Sequence, residues 1–264
     1  MEPVRPEFVP DADRTRDEME TLQREIADTA VFADDVQIEP TTLSNPLASS
    51  ASEAEPPIVA GVDQSFLQTD DEGRDDRALS AVVAMQGGEV IERVSAVTPL
   101  EIPYVPGLLA FREGAPILAA FERLTVDPDL LLFDGSGRIH FRQAGIATHI
   151  GVVFDAPAIG VAKSLLCGRP RSDIEGLSAG TRVAIDANER VDAPAETLLG
   201  YAVQTRQYES ADRSINPLYV SPGHRVGPET AADVTLALAS SYKLPEPVRR
   251  ADRYASEAKA EYDQ

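Results

Sequence analysis

Apolar residues recur along this chain with two different periods, and the switches between them outline its elements. Met19, Leu22 and Ile26 fall at helical spacing. Thr15, with Glu18 three residues later, supplies a capping-box start for that helix. Over residues 32–57 the periodicity stops. The segment is acidic and dotted with Ser and Pro, which predicts a long connector without fixed structure. Residues 58–66 form an apolar run interrupted by Asp63, the pattern of a central strand. Residues 68–77 are acidic and predict a mobile loop. Residues 78–85 and 90–97 then read as two strands, with Gly87-Gly88 between them as a hairpin turn.

Pro103 and Pro106 punctuate the next segment. Ile117, Leu118, Phe121 and Leu124 mark a helix that stops before Asp127-Pro128, and Gly114 and Pro116 predict irregular backbone just ahead of it. Residues 130–133 are wholly apolar and end in Asp134-Gly135, a buried strand followed by a tight turn. Ile146, Ile150 and Val153 define another helix, halted by Pro157, and residues 158–162 form the next short strand. Residues 174–194 are polar and turn-rich, residues 198–205 read as a strand, and residues 221–225 as a loop. That loop runs into a helix begun by Pro228, which buries Val234, Ala237 and Leu238. Strands paired through a hairpin and then alternating with helices predict an α/β domain with a mixed sheet. The expected organisation is a helix and connector over 1–57 and the domain proper over 58–264.

Composition narrows the class. The single cysteine, Cys167, excludes an internal disulfide framework and fits a reducing compartment as a buried apolar residue. No apolar stretch is long enough to span a bilayer, and residues 1–16 lack a signal-peptide core, so the expected location is cytoplasmic. Lys and Arg number 24 against 44 Asp and Glu, a net charge of -20, and only Lys163, Lys243 and Lys259 are lysines. Such a field repels polyanions in dilute salt. At about 1 M salt, however, the Debye length shrinks to about 3 Å and net charge no longer steers. The acidity is therefore read as a halophilic adaptation to solvent, which leaves function to local chemistry.

Two aspartates interrupt that pattern. Asp63 breaks an apolar run and Asp134 closes another, and a carboxylate at a buried strand end is costly unless paired or metal-bound. Either alone suits a turn cap; on neighbouring strands the two suit a hard cation. Glu113 is the candidate third carboxylate, with an exposed glutamate in a first helical turn as the alternative. Carboxylates without a Cys/His cluster favour Mg²⁺, with Mn²⁺ as substitute, over zinc. Such an ion activates water and stabilises charge on a phosphodiester. His140 with Arg142 can grip a phosphate, His224 can donate to one, and His149 reads as a packing residue. Lys163, ending another apolar strand, offers a point charge.

At these residues the chain resembles the endonuclease V family, along nearly its whole length. The carrying segments are Ala60-Gly61-Val62-Asp63, Pro103-Tyr104-Val105-Pro106-Gly107-Leu108-Leu109-Ala110-Phe111-Arg112-Glu113 and Phe133-Asp134-Gly135-Ser136-Gly137. Gly145-Ile146-Ala147-Thr148-His149-Ile150-Gly151, Ile159-Gly160-Val161-Ala162-Lys163-Ser164, Ser221-Pro222-Gly223-His224-Arg225 and Tyr242-Lys243-Leu244-Pro245-Glu246-Pro247 complete the set. Any one is weak; their order and combination are specific. One departure is His140-Phe141-Arg142, where the family usually has His-Pro-Arg.

The resemblance implies a ribonuclease-H-like fold, a mixed central sheet flanked by helices. It implies Mg²⁺-dependent hydrolysis of a phosphodiester on the 3′ side of deoxyinosine in DNA repair, leaving a 3′-hydroxyl and a 5′-phosphate with the base in place. By position Asp63, Glu113 and Asp134 take the metal and catalytic carboxylate roles, His224 assists at the scissile phosphate, and Lys163 stands beside it. Pro103-Tyr104-Val105-Pro106, with Gly107 and Leu109, is similar to the family's wedge: two prolines stiffen the turn, and the tyrosine can stack on bases. Backbone at Gly135, Gly137, Gly145 and Gly160 is implied to line the hypoxanthine pocket, beside His140. The implied partner is inosine-containing nucleic acid, DNA ahead of RNA, met by a monomer away from membranes. An inosine-specific endoribonuclease and a non-catalytic inosine-binding protein are the alternatives. An unrelated hydrolase or dinucleotide enzyme ranks low, for want of a Gly-x-Ser-x-Gly elbow and a Gly-x-Gly-x-x-Gly loop.

Overall fold

Thr15 starts the first helix as expected. Its side chain accepts from the Glu18 N–H, while the Glu18 carboxylate accepts from the Thr15 N–H, capping α1 (Arg16–Thr29). Such a cap contributes about 1 kcal/mol. The computed structural model describes residues 1–35, 38–44, 55–67, 77–208 and 213–262. The loop expected at 68–77 lies outside the described residues except for Arg77, as do residues 36–37 and 45–54 of the connector.

Part of that connector departs from the expectation. Residues Pro40–Ser44 form a short helix, α2, whose Leu43 is buried in the core. Asp34 accepts from the Gly227 N–H at 2.7 Å and from the Thr230 hydroxyl at 2.9 Å, and so caps the start of a later helix. The aperiodic acidic pattern hid both features, because neither needs an amphipathic repeat.

After the connector come strands β1 (Ile58–Leu67), β2 (Arg77–Gln86) and β3 (Glu89–Pro99). Gly87 and Gly88 take φ of 57° and 85°, the left-handed pair that a two-residue hairpin turn requires. Helix α3 (Leu109–Phe121) starts earlier than the sequence suggests and holds Gly114 and Pro116 inside it. Gly114 is needed there because a Cβ would stand 2.4 Å from Pro10 Cγ, where the N-terminal segment crosses the helix. Next come β4 (Leu130–Phe133), α4 (Ile146–Phe154) and β5 (Ala158–Ala162), as expected. Short strand β6 (Arg169–Pro170) follows, β7 (Arg182–Asp186) lies where only polar turns were expected, and β8 (Leu198–Val203) comes next. The expected loop at 221–225 is instead mostly the end of strand β9 (Leu218–His224), where Pro222 is accommodated beside a register shift opposite Ala158 and Ile159. Helix α5 (Pro228–Leu238) comes next, and a helix with no counterpart in the expectations, α6 (Glu246–Tyr262), ends the described chain.

Among the described residues the strands form one sheet in the order β3-β2-β1-β4-β5-β9-β8-β7-β6. β1, β4 and β5 run parallel at its centre, and every other pairing is antiparallel. Alternate side chains feed opposite faces. Ala60, Val62, Leu131 and Phe133 pack with α3 and α4, whereas Val59, Leu130 and Leu132 pack with α5. α1 shares a third cluster with Leu108, Phe111, Val152 and Val153. α6 lies across β1 and β2 and buries Pro247, Val248, Ala251, Ala255 and Ala258. Among the described residues no helix is long and apolar enough to cross a membrane.

Candidate metal centre and active site

The parallel pairing of β1 with β4 places Val62 opposite Phe133. One residue beyond that pair on each strand stand Asp63 and Asp134, and the Asp134 N–H continues the ladder by donating to the Val62 carbonyl at 3.0 Å. Strand alternation turns both carboxylates to the face opposite Val62 and Phe133, the face that α6 covers. α6 can lie close to β1 because Gly61 has no side chain: a Cβ there would be 2.1 Å from the Pro247 carbonyl carbon. A little over one turn further along α6, Asp252 reaches the strand ends. One oxygen each from Asp63, Asp134 and Asp252 lies within 4.8 Å of the others, and all three residues are partly buried.

The electrostatics of this cluster are strained without a cation. Burial, and next the charges of Asp134 and Asp252, push the Asp63 carboxyl well above the ordinary aspartate range, against the Lys163 charge and a hydrogen bond from the Gln64 backbone. Lys163 donates to Asp134 at 2.5 Å and stands 3.9 Å from Asp252. Burial works against the Lys163 charge, yet the Asp134 hydrogen bond and the three carboxylates hold its affinity for the proton above ordinary. One ammonium thus faces three carboxylates. An oxygen-only donor set with excess negative charge and no imidazole or thiolate fits a hard divalent cation.

Glu113, read from the sequence as the third metal carboxylate, lies outside that cluster. It is buried within α3, on the opposite helical layer, and not in an exposed first turn. Burial raises its carboxyl to about 7, with Arg112 opposing and the charge of Asp134 adding to the rise.

His224 is placed differently from the expectation. It pairs with Ala158 at the start of β5, the end opposite Lys163. Its Nδ1 accepts from the Val31 N–H at 3.1 Å and its Nε2 meets Asp155 at 3.0 Å, and the side chain is buried. These bonds tie the N-terminal segment to the sheet and leave no nitrogen for a phosphate. His149 is a packing residue as expected, bonded to the Phe8 carbonyl at 2.8 Å.

His140 and Arg142 hold a carbonyl in place of the expected phosphate. The Gly107 oxygen accepts from Gln23 at 2.9 Å and Arg142 at 3.2 Å, and meets His140 Nε2 at 3.1 Å. Burial, then the Arg142 charge, lower the His140 pKa to about 3, so the ring is neutral. Its Nδ1 accepts from the Arg142 N–H, which places the proton on Nε2 as a donor to Gly107. Gly107 ends the turn that carries Pro103, Tyr104 and Pro106, all exposed, with Val105 and Leu109 partly buried. Tyr104 stands out at 65% exposure. Phe141, the departure from the family pattern, lies where a Gly107 Cβ would meet its ring at 2.9 Å.

The glycines bring chain segments together. A Cβ on Gly160 would stand 2.3 Å from the Gly137 nitrogen, and Gly135, Gly137 and Gly145 face comparable contacts with Ile146, Pro222 and Ser136. The Gly137 N–H donates to Ser221 and the Gly145 N–H to the Gly137 carbonyl. Neither amide is therefore free to read a base in this structure.

A mixed sheet with β3-β2-β1-β4-β5 at its core and carboxylates at adjoining parallel strand ends defines a ribonuclease-H-like nuclease. Residues 41–253 match the Endonuclease V family model, and the chain belongs to the endonuclease V family and is an endonuclease. An endonuclease V of Haloarcula marismortui is 56% identical over 98% of this chain and 97% of its own length. That of Natronomonas pharaonis is 53% identical over 99% of each. The crystal structure of the Bacillus subtilis endonuclease V superposes with a TM-score of 0.76 at 25% identity, covering 100% of this chain and 99% of that one.

Proposed function

We propose that this protein is a Mg²⁺-dependent endonuclease that recognises deoxyinosine in DNA and hydrolyses a phosphodiester on its 3′ side, in the repair of deaminated DNA. The observation that carries the reading is the convergence of Asp63, Asp134 and Asp252 from three elements onto one point, with Lys163 beside them. Asp63, Asp134 and Asp252 would hold the ion, which when bound supplies a Lewis acid and an activated water. Glu113, held by burial near neutral pKa, is suited to take the proton of the attacking water. Lys163 offsets charge on the phosphate, and the products carry a 3′-hydroxyl and a 5′-phosphate. Tyr104, exposed on a turn stiffened by Pro103 and Pro106, enters the stack where the inosine leaves it. Flipping costs a few kcal/mol and least for a poorly paired base, which favours the lesion before any pocket contact.

The charge of -20 with only three lysines supports a protein adapted to a salt-rich cytoplasm, where phosphate contacts rest on short-range geometry. The chain carries a complete set of these groups, and we take it to act as a monomer. The test is an end-labelled duplex with one deoxyinosine, incubated with Mg²⁺ or EDTA at high potassium. The expected result is a single Mg²⁺-dependent nick 3′ of the inosine, weaker on the matched inosine-containing RNA. Preferential cutting of the RNA would move the substrate assignment, and binding without a nick would make the protein a non-catalytic inosine binder.

A further inference from the structure

Lys243 is a cation that the acidic centre does not use. Of the three lysines, Lys163 is paired with Asp134, and Lys259 donates to the Phe66 carbonyl at 2.7 Å. Lys243 is half-buried, yet among the described residues no carboxylate or other acceptor bonds its ammonium. In a chain with 44 acids against 24 bases, an unpaired, partly desolvated lysine goes against the composition.

Its position is fixed. The Thr205 hydroxyl donates to the Lys243 carbonyl at 2.6 Å, and the following Leu244 packs into the core beside α5. Pro245 then receives the Arg249 N–H, so Lys243 leads directly into the helix that presents Asp252. Thr205 follows the end of β8 where Val203 pairs with Leu218, next to Tyr219 opposite Ala162, so Lys243 lies at the sheet end where Lys163 stands. Burial, and after it the charge of Lys163, lower the proton affinity of Lys243. Beside it Tyr242 is 52% exposed, with the Arg249 guanidinium 4.3 Å from its ring centroid. Among the described residues the Lys243 ammonium is thus partly desolvated and without a partner, and an anion laid against it would supply one.

We infer that Lys243 binds a backbone phosphate of the nucleic-acid strand, adjoining the phosphate that Lys163 faces. Tyr242 continues this strip with an exposed aromatic face, backed by the Arg249 guanidinium that Glu246 holds. The inference rests on the nuclease reading of the centre, and it assigns to Lys243 strand binding, with no part in the bond-breaking step.

The test compares the full chain with Lys243→Met and Lys243→Arg. In EDTA, affinity for a labelled single-stranded oligonucleotide without inosine is followed across a range of KCl concentrations, with inorganic phosphate as a competitor. Lys243→Met should bind about tenfold more weakly, as expected for one charged hydrogen bond, and Lys243→Arg should restore most of it. The slope of log affinity against log salt should fall by roughly 0.7 in the methionine variant. On the inosine duplex with Mg²⁺, KM should rise while kcat is kept. An unchanged slope and KM in Lys243→Met would overturn the assignment. So would a lowered melting temperature with the parental salt slope, which would make Lys243 a packing residue, or competition by inorganic phosphate at the same concentration as by oligonucleotide phosphate, which would make the site one for a free anion. A parent protein that binds the oligonucleotide but cuts no inosine duplex would refute the nuclease reading instead, while the salt slopes still report on Lys243.

Discussion

Gly61 and Pro247 meet backbone to backbone, so closely that a Cβ on Gly61 would stand 2.1 Å from both the carbonyl carbon and oxygen of Pro247. This contact sets the height of α6 over β1, and therefore whether Asp252 reaches Asp63. Gly61→Ala should push α6 away and destabilise the protein by about 1–3 kcal/mol, as overpacked sites do. Cleavage should fall further than the stability loss explains, because Asp252 is lifted from the centre. Thermal unfolding and cleavage, compared at a temperature where both proteins are folded, check this. Parental cleavage with a lowered melting temperature would mean that the centre does not depend on how α6 is seated.

Asp63 opposes folding in the metal-free protein, since it is partly desolvated and faces Asp134. Asp63→Asn removes the charge and keeps the shape. We expect it to abolish cleavage while raising metal-free stability by roughly 0.5–2 kcal/mol, the usual stability–activity exchange at a functional site. Added Mg²⁺ should then raise the parent's melting temperature but leave that of the variant nearly unmoved. A variant less stable than the parent in EDTA would count against a strained acidic centre.

The contrast between Asp63 and Asp252 shows how far the sequence carries. Asp63 and Asp134 were legible because they interrupt apolar strands, where a charge is out of place. Asp252 sits among Arg249, Arg250, Arg253 and Glu257 on a helix surface, where charge is the ordinary condition. Its role comes from the docking of α6 on Gly61, a tertiary relation with no local signature. The one available hint was the small-residue spacing of Ala251, Ala255 and Ala258, which marks a helix face made for close packing. His224 misled for the converse reason. Ser-Pro-Gly before it reads as a loop, but a register shift lets that segment finish a buried strand. The central strands β1, β4 and β5 were plain from composition, whereas β6 and β7 are short, lie among polar turns, and form the sheet edge by pairing β6 with β7 and β7 with β8.

The metal-free protein should lose stability as pH rises through neutrality. Glu113 has its carboxyl raised from 4.5 to about 7, so between those values the folded state binds more protons than the unfolded one. Taken alone this lowers stability with increasing pH, by on the order of 3 kcal/mol at most. His140 and His149, lowered by burial to about 3 and about 4, act the opposite way below about pH 6.5, so the net fall is expected above that pH. Asp63 acts in the same direction as Glu113. Asp155, lowered to about 2 against the pull of burial by bonds from His224, Arg225 and Arg5, contributes the opposite sense only in strong acid. Because the cation competes with these protons, stabilisation by Mg²⁺ should grow over the same pH range. Melting temperatures across pH, with Mg²⁺ and with EDTA, test both slopes; a metal-free stability that climbs above about pH 6.5, where the histidines no longer titrate, would contradict them.

Tyr104 offers a separate test, because its ring is 65% exposed while its loop is anchored behind it at Gly107 by Gln23, Arg142 and His140. A ring so exposed adds little to folding, and Tyr104→Ala should leave stability within about 0.5 kcal/mol. If the ring fills the gap left in the stack, its loss forfeits about 1–3 kcal/mol of stacking, which is roughly tenfold to a hundredfold in kcat/KM on an inosine duplex. On single-stranded inosine DNA there is no stack to fill, so the same substitution should matter much less. Gln23→Ala, which frees the Gly107 end of the loop, should reproduce the duplex defect in milder form together with a measurable stability loss. The ratio of duplex to single-strand kcat/KM in the three proteins is the deciding quantity. An equal loss on both substrates would assign Tyr104 to general strand binding and remove the wedge from the mechanism.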